Sequence, residues 1–377
     1  MASKKNLHLV HDDKFIDMAY RVFESVYPGG NHFISFSNSK VNRYIKKAPV
    51  VIYSIWSLVL YRFFPFFMPK YDVVFVHGLD SEKLQYLRLL GDGVKICWIG
   101  WGYDYYDYID CDLLKSKTKN YEYEVKGLDE GFFCKCKNYL RSFVLGRVDK
   151  ESILNRVDCF APVLYEDYEL LKRNIEFSCP KYIDWNYGTL EEDWLDGFGD
   201  GYVDGDNILL GNSATNTNNH LDSFELIKNI GMDGSKIIVP LSYGDCVYRD
   251  IVIREGEAVF GNRFCPLVDF LQIDEYIKLI SSCSIVVMNH VRQQAVGNIV
   301  IMLYLGAKVF LDKKNPVYLF LKRQGVMVFN LDELHYESRV RLDLSDVEVN
   351  RSIIRKHWGR DVIYKKTKNL VESLRSS

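Results

Sequence analysis

The sequence of 377 residues has no excess of charge of either sign: 48 Lys and Arg stand against 50 Asp and Glu, a formal net charge of −2. That balance excludes the basic footprint of a nucleic-acid-binding protein. No CxxC pair occurs among the nine cysteines, at 97, 111, 134, 136, 159, 179, 246, 265 and 283, which argues against a zinc site. Odd in number and scattered through apolar segments, they read as buried free thiols in a reducing cytosol. The opening MASKKNLHLVHDD has no apolar core of the kind a signal peptide needs. The run DGFGDGYVDGD (196–206) lacks the ligand spacing and terminal Glu of a calcium loop, so it reads as an interdomain linker.

What the chain does have is apolar and aromatic bulk. It is 48% hydrophobic and 14% aromatic, with 26 Tyr and 22 Phe, a folded composition. Its length exceeds what one hydrophobic core fills, which implies two domains. NLHLVH (6–11), HFISF (32–36), YDVVFVHG (71–78), VKICWIGW (94–101) and VDCFAPV (157–163) read as buried parallel strands, with a helix over 14–27 stopped by PGG. A second alternation follows the linker. NILLGNS, KIIVPLS (236–242), SIVVMN (284–289) and AKVFL (307–311) are strands, and 246–257, 272–283, 296–306 and 315–325 are helices. The tail 350–377 reads as a basic helix with little apolar surface.

The expected fold is therefore α/β: two doubly wound, Rossmann-like domains facing across a cleft, the GT-B architecture. Residues 1–195 are expected to form the first domain, 196–206 the linker and 207–345 the second domain. Residues 346–377 form a C-terminal helix returning toward the first domain.

Two loops stand out in the second half. GNSATNTNN (211–219) leaves a buried strand and ends at a helix start, with small side chains and many exposed N–H groups. It carries neither GxxxxGK[ST] nor GxGxxG, yet suits an anion held by backbone amides, Ser213 and Thr215. A plain polar loop capped by Thr217 or Asn218 is the alternative. NHVRQQAVGNIV (289–300) also joins a strand to a helix. It sets Arg292, suited to phosphate, beside Gln293 and Gln294, ahead of Gly297 and Asn298.

In the first half, His11, Asp12, Asp13 and Lys14 follow the first strand, where a carboxylate or imidazole could take a proton. Asp12 or Asp13 equally suits a helix cap. GWGYDYYDY (100–108) offers Trp101, Gly102, Asp104 and Tyr105 for a sugar, with His77 at the preceding strand end. DCD (110–112) and DGD (204–206) resemble metal-binding pairs that belong to a different transferase fold, and both are discounted. Residues 43–69 are apolar for about a bilayer's length. Pro49, Arg62 and Pro65 interrupt them, so they read as an amphipathic or partly buried helix docking on a membrane face, flanked by Lys46, Lys47, Arg62 and Lys70, with plain core packing as the alternative. FFCKCKNYLRSFVLGR (132–147) would add basic charge for anionic lipid.

VFVHG, CWIGWGYDYY, LLGNSATNTNNH, IIVPLSYG, VRQQAVGN and KNPVY, in this order, resemble the motifs of glycosyltransferase family 56, the TDP-N-acetylfucosamine:lipid II N-acetylfucosaminyltransferases. Ala295 and Asn298 depart from the family's Gly and Thr, and residues 113–133 are unlike it. The resemblance implies an inverting, metal-independent GT-B enzyme without a cofactor. The donor would be a dTDP-sugar, with a UDP-sugar as the alternative. Gly211, Asn212, Ser213, Thr215, Asn219, His220, Gln293, Gln294, Gly297 and Asn298 would bind the donor, the GNSATNTNN loop holding its diphosphate and Arg292 offsetting the charge, while Ser242, Tyr243 and Gly244 line the nucleotide side. Asp12, Asp13 or Asp104 would be the base, and His11, His77, Trp101, Gly102 and Tyr105 would meet an undecaprenyl-diphosphate-linked glycan. The setting would be the cytoplasmic face of a bacterial inner membrane. A two-domain nucleotide-sugar epimerase and a non-catalytic nucleotide-sugar-binding subunit are the competing readings.

Overall fold

NLHLV, VVFVH and KICWI have almost no exposed position, so each needs neighbours on both edges and cover on both faces. In the computed structural model, which describes residues 5–37, 39, 41–54, 56–126, 148–195, 199–230, 234–338 and 340–375, they form the middle of a parallel sheet. Its strands are β1 (Asn6–Val10), β2 (Asn31–Phe36), β3 (Val50–Tyr53), β4 (Val73–His77), β5 (Lys95–Ile99), β6 (Cys159–Ala161) and β7 (Lys181–Tyr182). Their spatial order is β3-β2-β1-β4-β5-β6-β7. A second parallel sheet contains β8 (Asn207–Leu210), β9 (Ile237–Pro240), β10 (Phe264–Leu267), β11 (Cys283–Met288), β12 (Lys308–Leu311) and β13 (Phe329–Asn330), in the order β10-β9-β8-β11-β12-β13.

Each order reverses once, between β1 and β4 in the first sheet and between β8 and β11 in the second. The loops leaving two such strands part to opposite faces and open a crevice, which is where ligands bind in open α/β sheets.

Contacts divide the chain into two units. The first contains Met1–Asp110, Glu130–Gly188 and Arg360–Ser377, and the second Cys111–Asp129 and Thr189–Gly359. The tail forms two helices, Leu344–Trp358 and Arg360–Arg375, in place of one. The last is less polar than its composition suggests: Ile363, Leu370, Val371 and Leu374 bury a stripe in the first unit's core with Phe23, Phe75 and Trp185. Of the segment expected to be the interdomain linker, residues 200–206 are fastened to the second unit. Arg351 donates to the carbonyls of Asp200 and Gly201, at 3.2 and 2.6 Å, and Arg341 to those of Val203 and Gly205 and to the Asp206 carboxylate.

Residues 43–69 depart from the expected amphipathic helix. The Asp12 carboxylate collects the N–H groups of Arg43, Tyr44 and Ile45, and Asp17 those of Lys46, Lys47 and Ala48, which fixes a loop. β-Branched Val50, Val51 and Ile52 then extend as β3 on the sheet edge. Only Trp56–Phe63 is helical, followed by a short 3-10 turn at Pro65–Phe67. No helix among the described residues is long and apolar enough to cross a membrane. The segment 132–147 lies outside the described residues. Cys97, Cys159 and Cys283 are buried free thiols as expected, whereas Cys111 and Cys246 are exposed.

Candidate functional site

In the second unit, β8 ends at Gly211 with φ 64°, a left-handed conformation. A Cβ there would stand 2.6 Å from His220 Nε2 and 3.1 Å from Asn218 Oδ1, so the turn requires glycine. Asn218, buried, ties the loop into a knot. Its Nδ2 reaches Ser213 Oγ at 3.1 Å and Thr215 Oγ1 at 2.9 Å, and its Oδ1 accepts from the Asn212 N–H at 3.2 Å.

The hydroxyl directions follow from counting lone pairs. Thr215 Oγ1 accepts from Asn218 and, at 3.1 Å, from Gln294 Nε2, which fills it. Its own proton therefore goes to Ser213 Oγ, 2.9 Å away. Ser213 Oγ then accepts from Thr215, Asn218 Nδ2 lies 3.1 Å from it and 3.0 Å from the Ser213 carbonyl, and Ser213 itself is buried.

The loop after β11 is stitched to this one. Gln294 Nε2 donates to Asn212 Oδ1 at 2.8 Å, its Oε1 accepts from Thr217 Oγ1 at 2.8 Å, and Arg292 Nε approaches the same Thr217 Oγ1 at 3.4 Å. Asn315 fixes the Arg292 turn. Its Nδ2 donates to the carbonyls of His290 and Arg292 at 2.7 and 2.9 Å while its Oδ1 caps the helix Pro316–Gln324. The loop after β9 joins the set: Asn212 Nδ2 donates to Tyr243 Oη at 2.7 Å, and the Ala214 N–H to the Tyr243 carbonyl at 2.7 Å. Gly244, with φ 116°, would drive a Cβ to 2.5 Å from the Ala214 backbone.

So Gly211, Asn212, Ser213, Thr215, Tyr243, Gly244, Arg292 and Gln294 converge, with Ser242 in the same turn as Tyr243 and Gln293 buried beside Arg292. Four expected donor contacts have other partners. Asn219, in the left-handed region at φ 52°, directs its side chain to the Lys115 N–H and the carbonyls of Leu113 and Asn289. His220 is fully buried under Gly211 against Tyr248, and burial draws its pKa down to about 3. Asn298 donates to Tyr276 Oη at 2.9 Å, and Gly297 lies against Trp194.

In the first unit, the crevice between β1 and β4 is bordered by His11–Lys14, Gly78–Asp80 and the loop from Gly100 to Asp104. Asp104 is buried and accepts from the Leu79 N–H, Trp98 Nε1 and the Trp101 N–H at 2.9, 2.7 and 2.8 Å. Burial raises its pKa, against those donors. Asp12 is likewise taken up by the N–H groups of residues 43–45. These two candidate bases therefore serve the loops. Asp13 accepts from the Phe15 N–H through Oδ1, and burial raises its carboxyl.

Tyr105 is 0% exposed and packs on Trp98 and Phe160, so it is core and cannot touch a sugar. His77 is also buried, within a chain of bonds. Trp101 Nε1 donates to Tyr187 Oη at 2.7 Å, and Tyr187 donates to His77 Nδ1. His77 Nε2 in turn donates to His8 Nδ1 at 2.9 Å, and His8 Nε2 faces Asn31 Oδ1 at 3.4 Å. That direction requires both imidazoles to be neutral Nε2–H tautomers, and burial lowers both pKa values, His8 to about 3. His77 therefore acts by steadying Trp101, which is partly exposed beside Gly102. Gly78, at φ 67°, leaves room for Trp101 and Tyr103.

Tyr187, Asp80 and Lys83 have no place in the sequence reading, which gives Asn218 only as a helix cap and Asn315 only within KNPVY. Asp80 caps the helix Ser81–Arg88 and lies 2.7 Å from His11 Nε2. Of the two DxD pairs, Asp112 is held by Lys119 and Asp206 by Arg341.

The family described as 4-alpha-L-fucosyltransferase glycosyl transferase group 56 matches residues 202–354. Three solved structures share the whole fold. Sucrose-phosphate synthase from Thermosynechococcus elongatus has TM-score 0.66 and 9% identity over 99% of this chain and 100% of that one. A glycosyltransferase from Rickettsia africae ESF-5 has TM-score 0.63 and 11% identity, covering 100% of both chains. Anabaena Alr3699/HepE, in complex with UDP and glucose, has TM-score 0.62 and 10% identity over 100% of both. At such identities the likeness is one of fold, and the fold is GT-B.

Proposed function

We propose that this chain, a glycosyltransferase whose residues 202–354 match family 56, moves a deoxy-amino hexose such as N-acetylfucosamine from a dTDP-sugar to an undecaprenyl-diphosphate-linked glycan. The single observation that carries this reading is that the loops after β8 and β11, which bear Ser213 and Arg292, are bonded to one another at the switch point. Donors fixed by Asn218, Gln294 and Asn315 need no reorganisation when charge develops on a departing diphosphate, and that is how such groups accelerate transfer. The displacement is a single inverting one, needs no metal, and uses a base from the loop after β1. UDP is the alternative nucleotide.

The membrane part of the reading rests on the segment after β3. Trp56, Leu60, Phe63, Phe64, Phe66 and Phe67 are all exposed, Trp56 at 69% and Phe66 at 74%, beside Arg62. Surface aromatics so concentrated, with cationic Lys46, Lys47 and Lys70 nearby in sequence, suit the interface of an anionic bilayer. The enzyme would act there, on the cytoplasmic face of the inner membrane, in building O-antigen, capsule or enterobacterial common antigen.

The test is mass spectrometry of products from a panel of dTDP- and UDP-sugars, each with a farnesyl-diphosphate-linked disaccharide. One added deoxy-amino hexose, with release of dTDP only when acceptor is present, is the expected outcome. Conversion of the donor sugar without acceptor would favour the epimerase, and no turnover in any pair would favour the binding subunit.

A further inference from the structure

The proposed reaction needs a group that takes the acceptor hydroxyl's proton, and the sequence directed attention to three carboxylates. Two are already engaged: Asp12 holds the 43–45 backbone, and Asp104 holds Leu79, Trp98 and Trp101. The geometry points to His11, oriented and charge-balanced by Asp80, as the base that deprotonates the acceptor, which deepens the transfer reading above and rests on it.

His11 follows β1 and Asp80 follows β4, so the pair spans the switch point of the first sheet. Nε2 lies 2.7 Å from Asp80 Oδ2, an ion-pair contact without hydrogen-bond alignment, and a proton carried on Nε2 would leave the lone pair on Nδ1. The ring meets the carboxylate off the ideal N–H line, as catalytic pairs often do without substrate. The His11 side chain is 38% exposed, so a hydroxyl can reach it, while His77 and His8 behind it are buried.

Asp80 is built to remain an anion. It accepts from the Lys83 N–H at 2.8 Å, and Lys83 Nζ, buried and bonded to the carbonyls of His77 and Gly78, lies 3.5 Å away. Burial opposes its ionisation, yet the His11 contact and Lys83 prevail and bring its pKa to about 2. Lys83 is drawn down to about 8 by burial, against Asp80 and Asp104. A fixed carboxylate behind an imidazole holds the productive tautomer and stabilises the imidazolium that forms, as in base-activated nucleophiles generally. The other charged or titratable groups facing this spot are Asp12, Asp13 and Lys14 on the same loop, and Tyr103, whose phenol is pushed up by burial and then by Asp104, Asp80 and Asp13.

The step balances. The acceptor O–H proton passes to His11 Nδ1 as the oxygen bonds the anomeric carbon. The carbon–oxygen bond to the diphosphate breaks with its electron pair leaving on the nucleotide, and His11 later returns the proton to solvent.

The experiment compares His11→Gln, Asp80→Asn and Asp13→Asn in the full chain. It measures transfer with the donor–acceptor pair from the panel, its pH dependence, and dTDP binding by calorimetry. Asn remains a good helix cap, so Asp80→Asn removes charge while keeping the helix start. His11→Gln leaves the Asp80–Lys83 pair intact. Expected are a loss of about 10²–10⁴-fold in kcat for His11→Gln with unchanged dTDP affinity, and a smaller loss for Asp80→Asn. In Asp80→Asn the loss falls on kcat, with the KM for acceptor unchanged. Asp13→Asn stays within about tenfold of the parent. Full transfer in His11→Gln, or loss confined to Asp13→Asn, overturns the dyad and leaves the transfer reading standing. A parent protein that transfers to no acceptor overturns the reading itself, and the dyad with it.

Discussion

Arg292 and Ser213 are single groups with a distinct expected signature. Removing one pre-aligned donor to a developing charge slows chemistry by about 10²–10³-fold. Arg292→Ala is therefore expected to lower kcat by that order and to weaken dTDP binding in calorimetry, while Arg292→Lys recovers part of the affinity and little of the rate, because an ammonium lacks the planar fork. The buried histidines make a second prediction. His8 and His220 have pKa values near 3, and His77 and His290 are also lowered, all chiefly by burial. Their unfolded values sit at about 6.5. Between the two values only the unfolded chain takes up protons, so the stability is complete above about pH 6.5 and is lost as pH falls toward 3. A urea midpoint that drops steeply from pH 7 to pH 5 is expected, and an unchanged midpoint would contradict the neutral histidine chain.

At the scale of elements, the sequence showed the two loops of the second unit because glycine, small polar residues and an arginine collected at strand ends. It could not show that Asn218 knots the first loop or that Asn315 steadies the second, since those bonds join residues distant in sequence or hidden in a run of asparagines. Asp80 lies in LDSEKL, and nothing local links it to His11. The strand β3 was missed because an apolar run has no period that separates strand from helix, and β7 and β13 are two residues each. β10 contains Pro266, tolerable because that strand lies at the sheet edge. Two predictions belong here. Gly244→Ala forces a Cβ into the Ala214 backbone at an unfavourable φ, so a fall in melting temperature together with loss of dTDP binding is expected. Replacing Phe63 and Phe66 by Asp is expected to abolish co-sedimentation with phosphatidylglycerol vesicles and leave dTDP affinity unchanged; retained sedimentation would remove the membrane role from this patch.

For the whole molecule, alternation of strand and helix was legible in the sequence, and two parallel sheets follow from it. The division of the chain was less so. Residues 111–129 return to the second unit, and Arg360–Arg375 to the first, through side chains that have no sequence motif. Each sheet reverses its order once, and the groups proposed to take the proton lie at the reversal in the first unit, those proposed to hold the leaving diphosphate at the reversal in the second. The most direct measurement is a crystal structure with dTDP bound. The account predicts the β-phosphate within about 3 Å of Ser213 Oγ, with the Arg292 guanidinium on the same diphosphate. A nucleotide whose phosphates lie away from the β8 and β11 loops would contradict it.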